Sequence, residues 1–452
     1  MFAVDVPSRT LLLHHDNPLQ VRSAVNKSRL VSHKDYNLAV QHSLDAVRVL
    51  RNLGVNAPGP IRYTYNWPGK FTPGAHQIEM ADFLTLHRKG FNLSEMGTEK
   101  TAASLWAADW LMTNNYIRKV LILSPLSTLE RVWMSEIFSV LMHRKVGILH
   151  GTRERRLEVL GADLDFYILN HDGLAIEAVR KVLAARKDID LVIVDEASAY
   201  CNSSTRRYKA LARMLRPDQR LWMMTGTPCS NAPTDAWALA KLVSPARVPD
   251  YLGAFRRQTM EQISQFKWVP KPEAMQVVYA ALQPAIRFRK QDCKDLPPVT
   301  TEDRDCQLTE EQKKAVNAMR KEMQVELKTK QITAVNAADK INKLRQIFCG
   351  AIKDPLTGEY IALDHKPRLD VLMECIEQAA AKVFVIVPFK GIIQALAREV
   401  SKVYTVCVLN GDVSVSQRNE IIKNFKTTDD PHVLLCHPHV MSHGLNLTEA
   451  DM

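Results

Sequence analysis

The sequence lacks the cysteine and histidine patterns of a zinc site, since it has no CxxC pair and no histidine cluster at ligand spacing. Its eight cysteines are scattered singly, which is typical of a reducing cytosol rather than of a disulfide-stapled secreted protein. It also lacks an apolar run long enough to cross a bilayer, and the N-terminal apolar stretch is short. We therefore expect a cytoplasmic protein without a membrane partner.

Internal repeats and low-complexity tracts are also absent, which excludes a solenoid or a disordered array. The composition is globular, with 46% hydrophobic and 24% charged residues, and a length of 452 residues is too great for one core. Sixty Lys and Arg against 49 Asp and Glu leave a net charge of +11. This excess favours a polyanion such as nucleic acid if it lies on one face, and the alternative is an ordinary basic surface.

Short β-rich apolar runs alternate with helical stretches in two parts of the chain. Buried strands separated by helices predict parallel sheets, and therefore an α/β fold with two lobes. The runs of the first set are residues 120–124, 166–170, 191–196 and 221–226, and those of the second set are residues 382–388, 403–410 and 432–436.

The N-terminal region begins with short strand-like pieces. Val40, Leu44, Val47 and Leu50 then recur at helical spacing before Gly54, which predicts a helix. The Pro- and Gly-bearing stretch that follows predicts a linker. The expected parts are an N-terminal accessory domain at 1–70, a first lobe at 71–245, a helical insert and bridge at 246–345, and a second lobe at 346–452.

A candidate phosphate-binding loop lies in the segment 92–111, which opens into a strong helix, and the loop includes Gly97 and Thr98. Lys100 and Thr101 supply the last two letters of a Walker A loop, so the ammonium would reach terminal phosphates and the hydroxyl would bind Mg²⁺. Glu99 stands where glycine is expected, because backbone N–H groups must approach the phosphates without a side chain in the way. We expect Glu99 to impair nucleotide binding or turnover.

Two further motifs follow buried strands. Asp195 and Glu196 stand where Walker B acids lie, so Asp195 would hold Mg²⁺ and Glu196 would activate the attacking water. Thr225 and Thr227 follow the next strand and are placed to sense the γ-phosphate. Taken singly, each of these pairs has a plain strand-end turn as the alternative.

The order of these motifs resembles that of superfamily-two helicases. FTPGAHQ (71–77) resembles their adenine site, which implies that Gln77 binds adenine. The resemblance implies two RecA-like lobes that use ATP and Mg²⁺, with ATP being hydrolysed.

Two segments of the first lobe resemble DNA-contacting blocks of Swi/Snf-related enzymes. The segment 123–136 carries Trp133, and the segment 168–174 resembles the next block. The resemblance implies that Ser127 and Asn170 lie near the phosphate backbone of DNA, where contacts position the protein without reading sequence.

The middle of the chain specifies the subfamily. IRFRKQDCKDLPPV (286–299) is similar to the string that bridges the two lobes in Swi/Snf-related proteins, and residues 308–312 and 344–350 match the blocks that follow it. DEAD-box RNA helicases do not carry these blocks. The resemblance therefore implies a motor that tracks an intact DNA duplex.

The second lobe continues the resemblance through motif V. Residues 385–396 resemble motif IV, and residues 409–426 resemble the block after it. Motif V implies that Gly444 faces the nucleotide at the lobe interface, and that Asn446 and Thr448 face DNA.

The chain departs from the family pattern in two further places. Ser198 stands where many relatives have histidine, a variation that leaves the metal and base positions intact. The sequence ends at Met452, before the arginines of motif VI, and loss of an arginine finger typically lowers turnover by about 10³ to 10⁵.

The expected function is that of an ATP-dependent translocase or helicase that remodels double-stranded or branched DNA, or protein–DNA complexes. It would act at the nucleoid, or in the host cytoplasm if the protein is viral. One alternative is an inactive nucleic-acid-binding scaffold, in keeping with Glu99. The other is an RNA helicase of the same superfamily.

Overall fold

The computed structural model describes residues 2–264, 267–293, 301–328, 334–354, 357–379, 381–441 and 450. The chain divides into two compact units, residues 1–296 and residues 297–452. Each unit contains a parallel sheet flanked by helices, so the predicted α/β fold class is confirmed. The finer division of the sequence into four parts stays a prediction.

The first unit opens with a four-stranded antiparallel sheet in the order β1-β2-β4-β3. Its elements are β1 (Phe2–Asp5), β2 (Thr10–Leu13), α1 (Pro18–Ala24), β3 (Ser28–Leu30), β4 (Leu38–Gln41), α2 (Leu44–Asn52) and α3 (Ile61–Thr64). The prediction that Val40 is helical was wrong, because Val40 lies in β4 and pairs with Leu11 and Ser28. Helix α2 begins only after Ser43, whose hydroxyl oxygen accepts a hydrogen bond from the backbone N–H of Ala46.

The main sheet of the first unit has seven strands in the order β13-β5-β10-β9-β6-β8-β7. Its strands are β5 (Lys89–Asn92), β6 (Lys119–Ser124), β7 (Val146–Leu149), β8 (Phe166–Asn170), β9 (Ile189–Asp195), β10 (Arg220–Met224) and β13 (Ala285–Ile286). All its pairings are parallel. The helices are α4 (Ala75–Leu86), α5 (Lys100–Thr113), α6 (Ser135–Val140), α7 (Arg153–Gly161), α8 (Glu177–Ala185), α9 (Arg206–Met214), α10 (Asp235–Val243), α11 (Leu252–Thr259), α12 (Ala274–Ala281) and α13 (Lys290–Cys293), and the hairpin strands are β11 (Met260–Ser264) and β12 (Lys267–Pro270).

The four apolar runs of the first set correspond to β6, β8, β9 and β10, which form the middle of this sheet. Their side chains are almost entirely buried, as expected for strands covered by helices on both faces. The three remaining strands are short, and β5 contains Lys89 and Gly90, so a hydrophobic pattern does not reveal them. Strand β13 lies in the region predicted to be helical, and it extends the sheet by pairing with β5.

The N-terminal sheet and the main sheet share one hydrophobic core. Leu11, Val47 and Leu50 belong to the same buried cluster as Leu84 of α4 and Trp106 of α5. Polar contacts add to this packing. The Arg62 guanidinium lies 2.7 Å from the buried Asp82 carboxylate, and the Arg48 guanidinium donates to the carbonyl oxygens of Thr85 and Leu86 at the end of α4.

The second unit contains a three-stranded parallel sheet in the order β16-β18-β17 and an antiparallel pair β14-β15. Its elements are α14 (Glu310–Lys328), α15 (Ala334–Cys349), β14 (Ala351–Lys353), β15 (Tyr360–Ala362), α16 (Lys366–Gln378), β16 (Val383–Ile386), α17 (Lys390–Val400), β17 (Val406–Leu409), α18 (Val415–Thr427), β18 (Val433–Cys436) and α19 (Pro438–Met441). The second set of apolar runs corresponds to β16, β17 and β18. In the parts of both units that the structure describes, no helix is long and apolar enough to cross a membrane.

Candidate functional site

Three of the predicted motifs follow neighbouring strands of the main sheet. The register pairs Met224 at the end of β10 with Asn92 of β5 on one side and with Asp195 of β9 on the other. The carboxyl ends of parallel strands lie at one edge of a sheet, where ligands bind in open α/β folds. The loop after β5, the acidic pair and the Thr225 turn therefore lie side by side at this carboxyl edge.

The loop between β5 and α5 wraps around the ammonium of Lys100. Its Nζ donates hydrogen bonds to the carbonyl oxygens of Ser94, at 2.8 Å, and Glu95, at 3.0 Å. The Thr98 hydroxyl donates to the Glu95 carbonyl oxygen at 2.8 Å, and Gly97 turns the chain with a φ of +80°. The loop thus places a half-buried ammonium at the N-terminus of a long helix, where anions bind favourably.

Glu99 lies immediately before α5 with a φ of +57° and a ψ of +40°, in the left-handed region. Glycine adopts this region readily, whereas an L-residue with a side chain pays about 1–2 kcal/mol there. The Glu99 charge also acts on Glu136, since burial and then this charge raise the pKa of Glu136. The structure thus adds a backbone reason to the predicted misfit of Glu99.

The charges of Lys100, Asp195 and Glu196 interact with one another. Burial lowers the pKa of Lys100, while the charges of Asp195, Glu196 and Glu95 act in the opposite direction. Burial raises the pKa of Asp195, and the Glu196 charge adds to this, while the hydrogen bond from Trp133 and the charge of Lys100 oppose it. One ammonium and two carboxylates, all half-buried, therefore interact at this edge of the sheet, as an arrangement for a cation and a polyphosphate requires.

Both oxygens of the Asp195 carboxylate have donors that fix its orientation. The indole N–H of Trp133 donates to Oδ2 at 2.9 Å, and the backbone N–H of Glu196 donates to Oδ1 at 3.0 Å. Trp133 is fully buried in a π-helical turn between β6 and α6. The sequence singled out Trp133 without a role, and the structure shows that it holds Asp195.

Glu196 has a φ of +48°, and this conformation is accompanied by two side-chain hydrogen bonds. Its Oε1 accepts from the Ser198 hydroxyl at 2.8 Å and from the buried Thr225 hydroxyl at 3.3 Å. The Thr225 oxygen in turn accepts from the backbone N–H of Thr227 at 3.2 Å. Ser198 thus helps to orient the carboxylate, and Thr225 links it to the next loop.

Gln77 lies in the first turn of α4, and its side chain is buried. Its Oε1 accepts a hydrogen bond from the backbone N–H of Gly74 at 2.8 Å. Its Nε2 is buried and has no hydrogen-bond partner among the described residues. A buried amide N–H₂ normally has an acceptor, and a ring nitrogen of adenine would supply one.

Ser127 and Asn170 follow two neighbouring strands, since Ser124 of β6 pairs with Asn170 of β8. The Asn170 Oδ1 accepts a hydrogen bond from the Arg156 guanidinium at 3.1 Å. Arg156 is buried and also donates to the carbonyl oxygens of Leu149 and Gly151. It therefore fixes how the Asn170 amide is presented.

Sequence reasoning missed Arg156, although a signal was present. Arg156 and Leu160 are four residues apart in α7 and are the buried residues of that helix. An arginine on the buried face of an otherwise solvated helix needs internal acceptors, and these mark it as a positioning residue.

The remaining predicted residues have different outcomes. Thr101 lies in the first turn of α5, beside Lys100. Gly444, Asn446 and Thr448 lie outside the described residues. No group of three His, Cys, Asp or Glu residues that could hold a metal occurs in the described ranges. A Mg²⁺ ion bound through one carboxylate, one hydroxyl and nucleotide phosphates does not need such a group.

A family model described as the SNF2-related domain matches residues 65–352, and one described as the helicase conserved C-terminal domain matches residues 367–452. The chain belongs to the SNF2-related helicase family. This membership confirms the family predicted from the motifs, whose members include proteins named ATP-dependent helicases.

This SNF2-related chain is 26% identical to an uncharacterized ATP-dependent helicase, MG018, of Mycoplasma genitalium, over 80% of the chain and 34% of that relative. It is 24% identical to the putative protein p41 of Acyrthosiphon pisum secondary endosymbiont phage 1, over 84% of the chain and 83% of p41. It is 25% identical to the chromatin-remodeling ATPase INO80 of Lodderomyces elongisporus, over 57% of the chain and 17% of INO80. The SNF2-related chain thus spans about a third of MG018 and a smaller part of INO80.

A solved structure similar to the SNF2-related chain is the Sulfolobus solfataricus SWI2/SNF2 ATPase core in complex with dsDNA. It has a TM-score of 0.46 and 20% sequence identity, and the match covers 85% of the chain and 82% of that structure.

Proposed function

We propose that this chain is an ATP-dependent motor that moves along double-stranded DNA and remodels DNA or protein–DNA complexes, branched DNA included. The observation that carries the proposal is the meeting of Lys100 with Asp195 and Glu196 at the carboxyl edge of the main sheet. Family membership supports the same function, and so do relatives named as helicases and chromatin-remodeling ATPases.

Each residue of the site has a distinct task in this proposal. Lys100 exchanges its bonds to the loop carbonyls for the terminal phosphates, and Gln77 donates its unpaired N–H to the adenine ring. Thr101 and Asp195 hold Mg²⁺, and Glu196 orients a water molecule and accepts its proton. When bound, ATP·Mg²⁺ supplies a phosphoanhydride and a divalent charge that offsets the two half-buried carboxylates.

Ser127 and Asn170 are proposed to contact the DNA backbone. Their strands are neighbours, so both residues lie along the same edge of the sheet as the nucleotide site. Thr225 connects the nucleotide site to the next loop, because its hydroxyl donates to Glu196 and accepts from the backbone N–H of Thr227. A shift of Glu196 would therefore be transmitted to the loop that contains Thr227. Differential DNA affinity between nucleotide states would then drive movement. The protein would act at the nucleoid in the bacterial cytoplasm, or in the cytoplasm of a phage-infected host.

A second candidate function is DNA binding without ATP hydrolysis. The observation that favours it is Glu99, which has left-handed backbone in the phosphate loop and a charge that acts on Glu136. The Glu99 carboxylate places a negative charge in the phosphate loop, and this charge repels a triphosphate. In this case the scaffold would hold DNA while turnover is low.

The test measures DNA-stimulated ATP hydrolysis in the chain, in Glu99→Gly and in the double variant Glu99→Gly with Lys100→Ala. The motor proposal expects that Glu99→Gly raises duplex-stimulated hydrolysis and that Lys100→Ala abolishes the gain. If Glu99→Gly binds DNA but hydrolyses no ATP, the scaffold is favoured. Stronger stimulation by duplex RNA than by duplex DNA would favour an RNA helicase instead.

A further inference from the structure

The opposite, amino edge of the main sheet contains a pocket of about 260 Å³. Its lining includes residues at the beginnings of β5, β6, β9 and β10, namely Arg88, Arg118, Asp190 and Arg220, together with Tyr116 and Asp218. These strands are four to seven residues long, so roughly 13 to 23 Å separate this pocket from the Lys100 site. The pocket is therefore separate from the candidate nucleotide site.

Arg220 is buried at this pocket without an ion-pair partner. It is 6% exposed, and its one described hydrogen bond is a long one of 3.4 Å to the carbonyl oxygen of Thr85. Burial lowers the pKa of Arg220 to about 10, and the charges of Arg48 and Arg88 add to this effect. A guanidinium has five N–H donors, and a buried charge is normally paired. Among the described residues, no carboxylate pairs with Arg220.

Stabilisation of the α4 terminus does not account for this arrangement. Arg48 already donates to the carbonyl oxygens of Thr85, at 3.1 Å, and Leu86, at 2.8 Å. The single long bond of Arg220 adds little to these two. Most of the N–H donors of Arg220 thus have no acceptor among the described residues, and Arg220 lines the pocket.

The two aspartates that line the pocket each form an ion pair with an arginine other than Arg88 and Arg220. Asp190 pairs with Arg118 at 2.9 Å, and Asp218 pairs with Arg216 at 3.3 Å. Arg88 donates to the backbone oxygen of Asp218 at 2.6 Å and forms no ion pair with a described carboxylate. Arg220 therefore has no carboxylate partner at the pocket among the described residues, and Arg88 shares the charge of Asp218 with Arg216.

We propose that this pocket is a second anion site, which binds a phosphate group through the guanidinium groups of Arg88 and Arg220. A phosphate dianion offers several acceptor oxygens to the donors of two guanidinium groups and compensates both charges. Its source is either free phosphate or a backbone phosphate of nucleic acid. The Tyr116 ring, which stacks on Trp110, forms part of the wall.

The test uses inorganic phosphate and the full chain carrying Lys100→Ala, which removes binding at the candidate nucleotide loop. Calorimetric titration against chloride at constant ionic strength should detect phosphate binding. Arg88→Gln, at an exposed position, should weaken this binding at least about tenfold, as expected for the loss of a charge-assisted contact. Arg220→Gln should weaken it further, and a thermal melt checks that this variant is folded.

The matched control is Arg213→Gln, an exposed arginine of α9 that does not line the pocket. It changes the net charge equally and should leave phosphate binding unchanged. The proposal is overturned if no phosphate binds, or if Arg88→Gln and Arg213→Gln reduce binding equally. Because Lys100 is absent from every variant, these outcomes do not depend on the proposed ATPase.

A second measurement identifies the source of the phosphate. Duplex DNA affinity is titrated against salt in the chain and in Arg88→Gln. If a DNA phosphate occupies the pocket, Arg88→Gln lowers the salt slope by about one. If the slope is unchanged while phosphate binding is lost, the pocket serves free phosphate.

Discussion

Glu99 and Glu196 have the same unusual backbone conformation at the same edge of the sheet, but their surroundings differ. Both have positive φ angles, of +57° and +48°, and both stand directly before a helical segment. The Glu196 carboxylate accepts hydrogen bonds from Ser198 and Thr225, whereas the Glu99 charge acts on another carboxylate, Glu136. Backbone strain alone therefore does not identify a working residue.

The largest expected effect concerns Glu196, which we expect to act through its carboxylate. Glu196→Gln, made in the Glu99→Gly background, should lower DNA-stimulated ATP hydrolysis by about 10² to 10⁴, because a general base typically contributes that much. ATP affinity, measured by equilibrium titration, should change little. Hydrolysis within a few-fold of the parent would show that Glu196 has no catalytic role and would remove the contrast with Glu99.

Replacement of Glu99 should have the opposite sign. Glu99→Gly should strengthen ATP binding by about fivefold or more, since a like charge near a phosphate costs about 1 kcal/mol even at the dielectric constant of water. The left-handed backbone at Glu99 costs about 1–2 kcal/mol, which glycine avoids. The greater freedom of glycine in the unfolded chain offsets about 0.4–1 kcal/mol of this gain. The free energy of unfolding in urea should therefore rise by up to about 1.6 kcal/mol.

Two controls separate charge from backbone at this position. Glu99→Ala removes the carboxylate but keeps Cβ, so it should improve ATP binding without the gain in stability. Glu196→Gly should not stabilise the protein, because it removes two side-chain hydrogen bonds along with the strain. Equal stabilisation by Glu99→Gly and Glu196→Gly would contradict the comparison.

Thr225 tests the contacts that accompany the strain at Glu196. Thr225→Val keeps the shape of the buried side chain but removes the hydroxyl that donates to Glu196 and accepts from the backbone of Thr227. The free energy of unfolding should fall by about 1–3 kcal/mol, because two hydrogen bonds are lost and each usually contributes about 0.5–1.5 kcal/mol. Thr227→Val changes an exposed hydroxyl and should have no measurable effect in the same urea experiment. An equal loss in both variants would be the contrary result.

The smallest effect is a pH dependence at Glu136. Burial and the Glu99 charge raise the pKa of Glu136 above its usual value of 4.5, so the folded protein binds this proton more tightly than the unfolded chain. Stability conferred by the proton is therefore lost as pH rises from 4.5 through the raised pKa. Glu136→Gln should unfold at higher urea than the parent above this window, with the advantage shrinking as pH falls.

The same pH series in Glu99→Gly measures how much of the Glu136 effect is caused by the Glu99 charge. Removal of the Glu99 charge should reduce the advantage of Glu136→Gln, since one cause of the raised pKa is gone. The exposed Glu130→Gln serves as the control and should leave the pH profile unchanged. An undiminished advantage in Glu99→Gly would show that burial alone acts on Glu136.

The central strands could be predicted from the sequence because their apolar runs reflect burial on both faces. The prediction that Val40 is helical failed because a residue at helical spacing can equally lie near the end of a strand. The pairing of Val40 with Leu11 places it in β4. Lys100 and Asp195 could be predicted as neighbours because their strands end at one edge. Their catalytic roles stay predictions until they are measured.

Contacts between distant residues could not be predicted in the same way. The hydrogen bond from Trp133 to Asp195 joins residues 62 positions apart, and that from Arg156 to Asn170 depends on the packing of α7 against the sheet. The arginine pocket is even harder to predict from the sequence, because Arg88, Arg118 and Arg220 are single residues at the beginnings of three different strands. Only the parallel register brings them together.

Because the N-terminal region shares its core with the main sheet, it cannot be removed without exposing part of that core. The family match begins at residue 65, yet Leu84 and Trp106 belong to one buried cluster with Val47 and Leu50, which lie before that point. A protein that starts at residue 65 would expose these apolar side chains to water and would tend to aggregate. The N-terminal sheet therefore cannot be exchanged between relatives as an independent module unless the surfaces of α4 and α5 change with it.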